Sequence, residues 1–201
     1  TNAPKNRVIY DFYGFPDELY KVKYPSEGSE IIAKELTKEL IKYEAVLDST
    51  WGLDHGTWSI LKHIKPKADV PILQISLDYT KSLEYITELF AELKKLRNKG
   101  VIFIGSGNIV HNLGLVDWSN RSNSWAEEFD HISKDKISKH DIKSLINPYK
   151  LSNTSRLAIP TDDHYRPMLA SLSLIDRDEE ITYFNEEIDL GSIGMRSFIT
   201  V

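Results

Sequence analysis

The sequence contains no cysteine. This excludes disulfide bonds, thiolate zinc sites and a cysteine nucleophile, so any metal site has to be built from histidine and carboxylate ligands. The sequence also lacks a run of 18 or more apolar residues, so no transmembrane helix is expected. The first residues lack the apolar core of a signal peptide, and a cytoplasmic location is the default expectation.

Massed positive charge is absent as well. The chain has 25 Lys and Arg residues against 30 Asp and Glu residues, for a net charge of −5. Nucleic-acid binding is disfavoured, because the neutralisation of phosphates requires a basic surface. The remaining composition is ordinary, with 41% hydrophobic and 27% charged residues in 201. These values are typical of a soluble globular protein, and we expect one domain over residues 1–201.

Apolar runs alternate with helical patterns along the chain. Residues 70–77 and 101–104 are predicted strands, and apolar residues at steps of three or four predict a helix from Lys81 to Lys99, closed by Gly100. This strand–helix–strand unit predicts an α/β fold with a mixed, partly parallel sheet. Further helices are predicted after a Ser29 cap and over 125–137, 141–146 and 161–174 with a Thr161 cap, and further strands over 45–47, 181–184 and 198–201.

Three of the six histidines occupy positions suited to chemistry. His55 lies in a glycine-flanked segment before a helix, His111 follows the predicted strand 101–104, and His164 lies in the first turn of a predicted helix. In open α/β sheets, ligands bind beyond the carboxyl ends of the strands. The other three histidines lie among charged residues and are interpreted as facing solvent: His63, His131 and His140.

Structural explanations compete with these functional ones. A histidine after a strand is more often a hydrogen-bonded structural residue than a ligand. The acids Asp162 and Asp163 beside His164 suit a metal, but paired acids at a helix N-terminus mostly interact with the helix dipole. Residues 105–108 resemble a phosphate-binding loop without its third glycine and its lysine. The residues alone therefore indicate an α/β enzyme with a candidate histidine site and leave its chemistry open.

Several motifs in the right order give the chain a more specific resemblance. They are Tyr10-Asp11-Phe12-Tyr13-Gly14 near the start, Asp-His-Gly at 54–56, the strand at 69–77, Ser-Gly…His-Asn-Leu at 106–113, the late histidine motif at 160–167 and the terminal strand at 191–198. The chain resembles the class III extradiol ring-cleavage dioxygenases, the superfamily of the protocatechuate 4,5-dioxygenase catalytic subunit, in its DOPA-dioxygenase-like branch.

The resemblance implies a three-layer α/β/α sandwich holding one mononuclear non-haem Fe(II) bound by histidines, with zinc a common substitute in isolated protein. The implied reaction inserts dioxygen, the co-substrate, into a catechol-type, DOPA-like aromatic diol and opens its ring to a semialdehyde. By the same resemblance, His164 is a metal ligand. His111 stands beside the metal, as a further candidate ligand and as the acid/base for the catechol proton. His55 contacts substrate or dioxygen.

The resemblance also implies neighbours of these histidines. Asp54 is a candidate to orient His55 and to contact substrate, although a neighbouring residue can equally point away. Asn112 and Tyr165 are further candidates for substrate contact. Apart from the resemblance, Arg196 is a candidate to pair with a substrate carboxylate, but an ordinary surface ion pair is the favoured explanation.

One departure from the family pattern affects the metal site. The family begins with a His-Gly-Ser-Pro motif and a Ser-Ala-His motif, each supplying one metal-ligating histidine, and neither occurs here. The missing strand–helix–strand block needs about 30 residues or more. We expect that this segment is missing through disorder, cleavage or trimming, because losing two strands would leave buried sheet edges unpaired. The alternative is a truncated, metal-free relative. In either case these 201 residues alone are expected to bind Fe(II) weakly and to cleave no catechol.

Two other functions stay open at this point. Non-enzymatic relatives with the same fold act as binding or signalling proteins, and in such a protein the histidines would line a pocket for a different ligand. A generic metal-dependent hydrolase has only the histidines in its favour, and it predicts activity with zinc and no oxygen consumption.

Overall fold

The computed structural model of the chain describes residues 1–119 and 121–200. The contacts divide the chain into two compact units, Thr1–Ser76 and Leu77–Val201. Within the described residues, no helix has both the length and the apolar character needed to cross a membrane. The predicted single domain stays a prediction, and each unit is described by itself.

Two α-helices form the regular structure of the first unit. They are α1 (Glu30–Glu39) and α2 (His55–Ile64), accompanied by 3-10 turns at Leu19–Lys21 and Ile41–Tyr43. The predicted cap is confirmed, because the Ser29 hydroxyl accepts the Ile32 N–H at 3.3 Å. Asp54 caps α2 in the same way, accepting the Thr57 N–H at 2.9 Å. Such caps satisfy N–H groups that have no partner inside the helix.

The chain before α2 is fixed to the extended N-terminal segment. Leu53 donates its N–H to Arg7 O at 2.8 Å, and Ile9 donates to Leu53 O at 2.9 Å. A Cβ atom on Gly52 would lie 2.4 Å from Arg7 O, so only glycine allows this close approach. Trp58 of α2 donates its indole N–H to Ile9 O at 3.0 Å. The segment at Arg7–Ile9 and the start of α2 therefore form one rigid frame around a small apolar core.

The second unit contains the remaining elements. Its helices are α3 (Leu83–Leu93), α4 (Ser124–Ser138), α5 (Ile142–Leu145), α6 (Ser155–Ala158) and α7 (Arg166–Ser173), with 3-10 turns at Lys94–Lys99, Leu113–Leu115 and Pro148–Lys150. Its strands are β1 (Thr182–Phe184), β2 (Ile188–Asp189), β3 (Ile193–Gly194) and β4 (Ser197–Ile199). Strands β1 and β4 pair antiparallel, as do β2 and β3.

Four of the five predicted helices form where the sequence predicts them. The pattern from Lys81 to Lys99 forms α3 and its 3-10 extension, and Gly100 ends it with a left-handed φ of 81°. Helices α1, α4 and α5 also fall where they are predicted. The helix predicted from residue 161 begins instead at Arg166, with Pro167 in its first turn, where the missing N–H of proline costs nothing. Thr161 does not cap it and instead donates to the Asp163 carboxylate.

The strands agree only near the C-terminus. The predicted strands at 181–184 and 198–201 pair as β1 and β4, although Val201 lies outside the described residues. Segments 45–47, 70–77 and 101–104 are not strands in the described structure, and Ile102 is 85% exposed. A strand requires a hydrogen-bonded neighbour, and no described segment forms a ladder with 101–104. The parallel sheet and the three-layer sandwich stay predictions.

Candidate functional site

Two of the three singled-out histidines meet in the second unit. The rings of His111 and His164 stack with centroids 3.6 Å apart and planes inclined by 8°. They lie 53 residues apart in the sequence, so the fold, and not local spacing, brings them together. His164 Nε2 also lies 3.7 Å from a carboxylate oxygen of Asp163.

Main-chain contacts set the spacing of this histidine pair. His111 donates its N–H to Ala158 O at 2.8 Å, and Asn108 donates its N–H to His164 O at 3.0 Å. A Cβ atom on Gly107 would lie only 2.3 Å from His164 O, a distance that real Cβ atoms do not adopt. The glycine that weakly suggests a phosphate loop in the sequence therefore allows the loop after residue 104 to pack against the segment carrying His164.

The electrostatic setting favours a neutral His111. Burial lowers the pKa of the His111 imidazole below its ordinary value, the adjacent His164 lowers it further, and Asp163 raises it in part. Burial raises the pKa of Asp163, but the hydrogen bond from Thr161 and the nearby histidines outweigh this and keep it below the ordinary value. At neutral pH the site thus combines a neutral imidazole with an ionised carboxylate, and a neutral imidazole accepts protons and binds metals.

His55 lies in the first unit with a partner that the sequence does not indicate. Its ring Nδ1 lies 2.9 Å from Asp11 Oδ1, and its backbone N–H donates to the same oxygen at 3.0 Å. The prediction that Asp54 orients His55 is wrong. Asp54 accepts the Thr57 N–H and the Gln74 side-chain amide at 2.7 Å, so its carboxylate serves the helix end. The only sequence signal for Asp11 is its place in the first resemblance motif.

The amide of Asn112 is occupied in holding its own loop. Its Nδ2 donates to Leu157 O at 2.8 Å, and its Oδ1 accepts the Gly114 N–H at 3.0 Å. Its backbone N–H donates to Ser192 O at 3.1 Å. This residue therefore fixes the chain immediately after His111, and its proposed contact with substrate has no support from a free polar atom.

The polar groups of Tyr165 and Arg196 bind other groups of the protein. Tyr165 is 0% exposed, and its hydroxyl donates to Leu145 O at 3.2 Å, which places the side chain in the core. Burial raises the pKa of its phenol far above the ordinary value. Arg196 is buried, donates from Nε to both oxygens of Asp130 at 2.9 Å and also pairs with Glu186. A substrate carboxylate is therefore not the partner of Arg196 in this structure.

The three histidines predicted to face solvent differ in their exposure. His63 and His131 are exposed, as predicted, whereas His140 is half-buried with a left-handed φ of 50°. The expectation for His140 is wrong because it ends α4 with its ring turned inward, where Nε2 has no hydrogen-bond partner among the described residues. Asp162 forms an ion pair with Arg166 at 2.8 Å, so the structure gives its carboxylate a side-chain partner, and the expected interaction with the helix dipole stays a prediction.

The donor set fits part of a metal site. Imidazole nitrogens suit Fe(II) and Zn²⁺, and two of them lie together here. Over residues 1–119 and 121–200, however, no three His, Cys, Asp or Glu residues are grouped so as to hold a metal ion. A facial iron site needs three protein ligands, so the described residues contribute to such a site without completing it.

One family model and several known proteins match this chain. The sequence profile of the catalytic LigB subunit of aromatic ring-opening dioxygenase matches residues 1–190. The 4,5-DOPA dioxygenase extradiol of Escherichia coli K12 is 37% identical over 196 residues, which cover 94% of this chain and 72% of that protein. The protein of the same name from Portulaca grandiflora is 29% identical, with 95% and 72% covered.

A solved structure shares the fold. The crystal structure of an uncharacterized protein from E. coli K12 superposes with a TM-score of 0.83 and 32% identity, covering 98% of this chain and 80% of that one. The profile match spans most of the chain, and the two relatives named above carry the names of extradiol enzymes. This chain therefore belongs to the LigB family of aromatic ring-opening dioxygenases and is an extradiol ring-cleavage dioxygenase.

Proposed function

We propose that this enzyme opens the ring of a catechol-type, DOPA-like aromatic diol with dioxygen, using a mononuclear iron bound by histidines. The stacked pair of His111 and His164 is the observation that carries the proposal. The 37% identity to a protein named 4,5-DOPA dioxygenase extradiol supports the choice of substrate.

The ring geometry gives the two histidines different roles. An imidazole binds a metal through a lone pair in the ring plane, at about 2.0–2.1 Å. Because the two planes are almost parallel and the rings face each other, the in-plane lone pairs of the two rings do not converge on one point, and one ring would hold the metal. The stacking does not say which ring that is, so we assign His164 as the ligand and His111 as its neighbour from the motif match, and the arrangement does not favour His111 as a second ligand.

His111 is then the group that handles the substrate proton. When bound, the metal supplies the redox chemistry that lets dioxygen react with the diol. Because its pKa is lowered, His111 is neutral at neutral pH, and a ring nitrogen can accept the proton of a diol hydroxyl. Asp163 is ionised and close to both rings, so it stabilises the charged imidazole that results.

The other candidates receive unequal support. His55 keeps its proposed role in contacting substrate or dioxygen, which rests on the motif match and on a ring that is 46% exposed. Asp54 and Asn112 are engaged in a helix cap and a loop, and Tyr165 is in the core. We therefore propose no direct contact between these three residues and the substrate.

Oxygen uptake with isotope-labelled dioxygen tests the proposal. The purified, iron-loaded full-length protein is mixed with DOPA or simple catechol in an oxygen electrode, and the product is analysed by mass spectrometry after reaction with ¹⁸O₂. The expected result is uptake of one dioxygen per diol and a ring-opened product carrying both labelled atoms. Absence of oxygen consumption with every diol would overturn the substrate assignment and favour a binding protein.

A further inference from the structure

Asp11 makes two contacts with His55 through a single oxygen. Oδ1 of Asp11 lies 3.0 Å from the backbone nitrogen of His55 and 2.9 Å from its ring Nδ1. Burial raises the pKa of the Asp11 carboxyl, but the hydrogen bonds from His55 outweigh this and hold it below its ordinary value. The carboxylate is therefore ionised at neutral pH, and it can only accept hydrogen bonds.

The frame around this contact is rigid. Two residues before Asp11, Ile9 donates to Leu53 O at 2.9 Å and accepts the Trp58 indole N–H at 3.0 Å. Directly after Asp11, the Phe12 ring meets the His55 ring edge-on, with centroids 5.9 Å apart. The backbone N–H of His55 at the start of α2 binds the same Asp11 oxygen. Both partners thus have their positions fixed by main-chain contacts as well as by their own contact.

The contact fixes where the neutral imidazole carries its proton. Because the Asp11 carboxylate facing Nδ1 can only accept a hydrogen bond, the ring hydrogen has to be on Nδ1. Nε2 then presents a lone pair. Within the described part of the chain, Nε2 of His55 has no hydrogen-bond partner, and the side chain is 46% exposed. A lone pair on Nε2 selects a hydrogen-bond donor. A diol hydroxyl is such a donor, and dioxygen is not.

We propose that Asp11 is a positioning residue that selects the Nδ1–H form of the His55 ring, so that Nε2 accepts a hydrogen bond from a hydroxyl of the aromatic diol. The proposal rests on the function proposed above for His55 and narrows it from substrate or dioxygen to substrate alone. Asp11 itself touches neither.

A purely structural role for Asp11 predicts different behaviour. If Asp11 only holds the first N–H of α2, its loss weakens the fold without selecting a ring form. Asp48 provides a matched control, because its carboxylate in the same unit accepts the backbone N–H groups of Thr50 at 2.7 Å and Trp51 at 3.1 Å. The variants Asp48→Asn and Asp48→Ala therefore alter a carboxylate that accepts backbone N–H groups but does not contact a histidine ring.

The test compares these variants with Asp11→Ala and Asp11→Asn. Because one oxygen of Asp11 serves both N–H groups, an asparagine Oδ1 in its place can accept both, and the Asn variant keeps the contact without its charge. Long-range ¹H–¹⁵N spectra of histidine-labelled, zinc-loaded protein report which ring nitrogen carries the proton. Oxygen uptake by the iron-loaded enzyme gives kcat and KM.

We expect the Nδ1–H form of His55 in the wild type and in Asp11→Asn, and a mixture of both forms in Asp11→Ala. We expect kcat/KM to fall by about tenfold or more in Asp11→Ala, the effect typical of partners that orient a functional histidine, and to stay within about threefold in Asp11→Asn and both Asp48 variants.

An Nε2–H form in the wild type would overturn the proposal, and so would an Asp11→Ala variant with unchanged spectra and rates. If Asp11→Ala does not fold, the wild-type and Asp11→Asn spectra still decide. The role of His55 is tested separately by His55→Ala: full activity in that variant contradicts the proposed function of His55 but leaves the spectra to decide whether Asp11 fixes the ring.

Discussion

The imidazole rings of His111 and His164 lie face to face at 3.6 Å, with planes only 8° from parallel. Two rings in this arrangement cannot both direct an in-plane lone pair at one ion. Under the proposed function, metal binding and proton transfer fall to two different side chains, so replacing each should have a different effect.

Replacing the two histidines should separate metal content from turnover. We expect His164→Ala to lose most of its bound metal together with its activity. His111→Ala should keep its metal and lose about 10²–10⁴-fold in kcat, the usual contribution of a general acid/base. Metal analysis and oxygen uptake on the same samples check this. Equal metal loss in both variants would contradict the division of roles, and exposed His63→Ala is the control.

Gly107→Ala should damage the site through the backbone. The new Cβ would lie 2.3 Å from His164 O, so the loop or the start of α7 has to move, and we expect reduced metal content and at least about tenfold lower kcat/KM. Gly114→Ala is the matched control, because its Cβ would meet only the Asn112 side-chain oxygen, at 3.3 Å. Similar activity in both variants would show that the close approach is unimportant.

Tyr165→Phe should affect stability and leave substrate binding unchanged. The hydroxyl makes one buried hydrogen bond to Leu145 O, so its removal should cost about 1–3 kcal/mol in the free energy of unfolding, because Leu145 O is left without that partner. Denaturant titration measures this loss, and steady-state kinetics should give an unchanged KM for the diol. A KM raised tenfold with little loss of stability would restore Tyr165 as a substrate contact.

The ion pair between Arg196 and Asp130 should respond differently to single and double replacement. Both side chains are almost fully buried, so Asp130→Leu should cost about 3–5 kcal/mol, because Arg196 then keeps only its ion pair with the half-exposed Glu186. The double variant Arg196→Met with Asp130→Leu should lose less, because neither charge stays buried alone. Thermal and denaturant unfolding of the wild type, of both single variants (Asp130→Leu and Arg196→Met) and of the double variant measure the coupling. Additive losses would show that the two residues act independently.

Glu179 should make stability depend on acid pH. Its hydrogen bond with Arg97 lowers the pKa of Glu179 from 4.5 to about 2. A carboxyl whose folded pKa is depressed contributes stability above its unfolded pKa, and this contribution is lost as the pH falls from 4.5 towards 2. Glu179→Gln should be less stable at pH 7 by about 1 kcal/mol and equal to the wild type near pH 2. A constant difference across this range would contradict the pairing.

Local signals in the sequence predict the helices well because helices are stabilised by nearby residues. Ser29 marks the start of α1 and Gly100 the end of the helix after α3, and both are as expected. Strand 101–104 depends on a partner that its own residues do not specify, and in the described structure Ile102 is exposed instead. Pairing between distant segments is therefore where prediction from the chain alone stops.

Prediction of the candidate site from the sequence is limited in the same way. The histidines His111 and His164 are identifiable from motifs, and the structure brings them together. The partner of His55 is not identifiable from the motifs. Asp54 adjoins His55 in the sequence, but Asp11, 44 residues away, makes the contact. Likewise Tyr165 directly follows His164 but turns into the core. Adjacent residues at a helix start face different directions, so proximity in sequence is a poor guide to shared function.

The backbone contacts of the histidine pair have a consequence for how this enzyme can diverge. The hydrogen bonds from Asn108 to His164 and from His111 to Ala158 use only main-chain atoms. Side chains along these segments can therefore change without altering the spacing of the two rings, provided that Gly107 is retained. Sequence variation can then accumulate along these segments while the two rings keep their spacing, so relatives can differ in the surrounding side chains without changing the histidine pair.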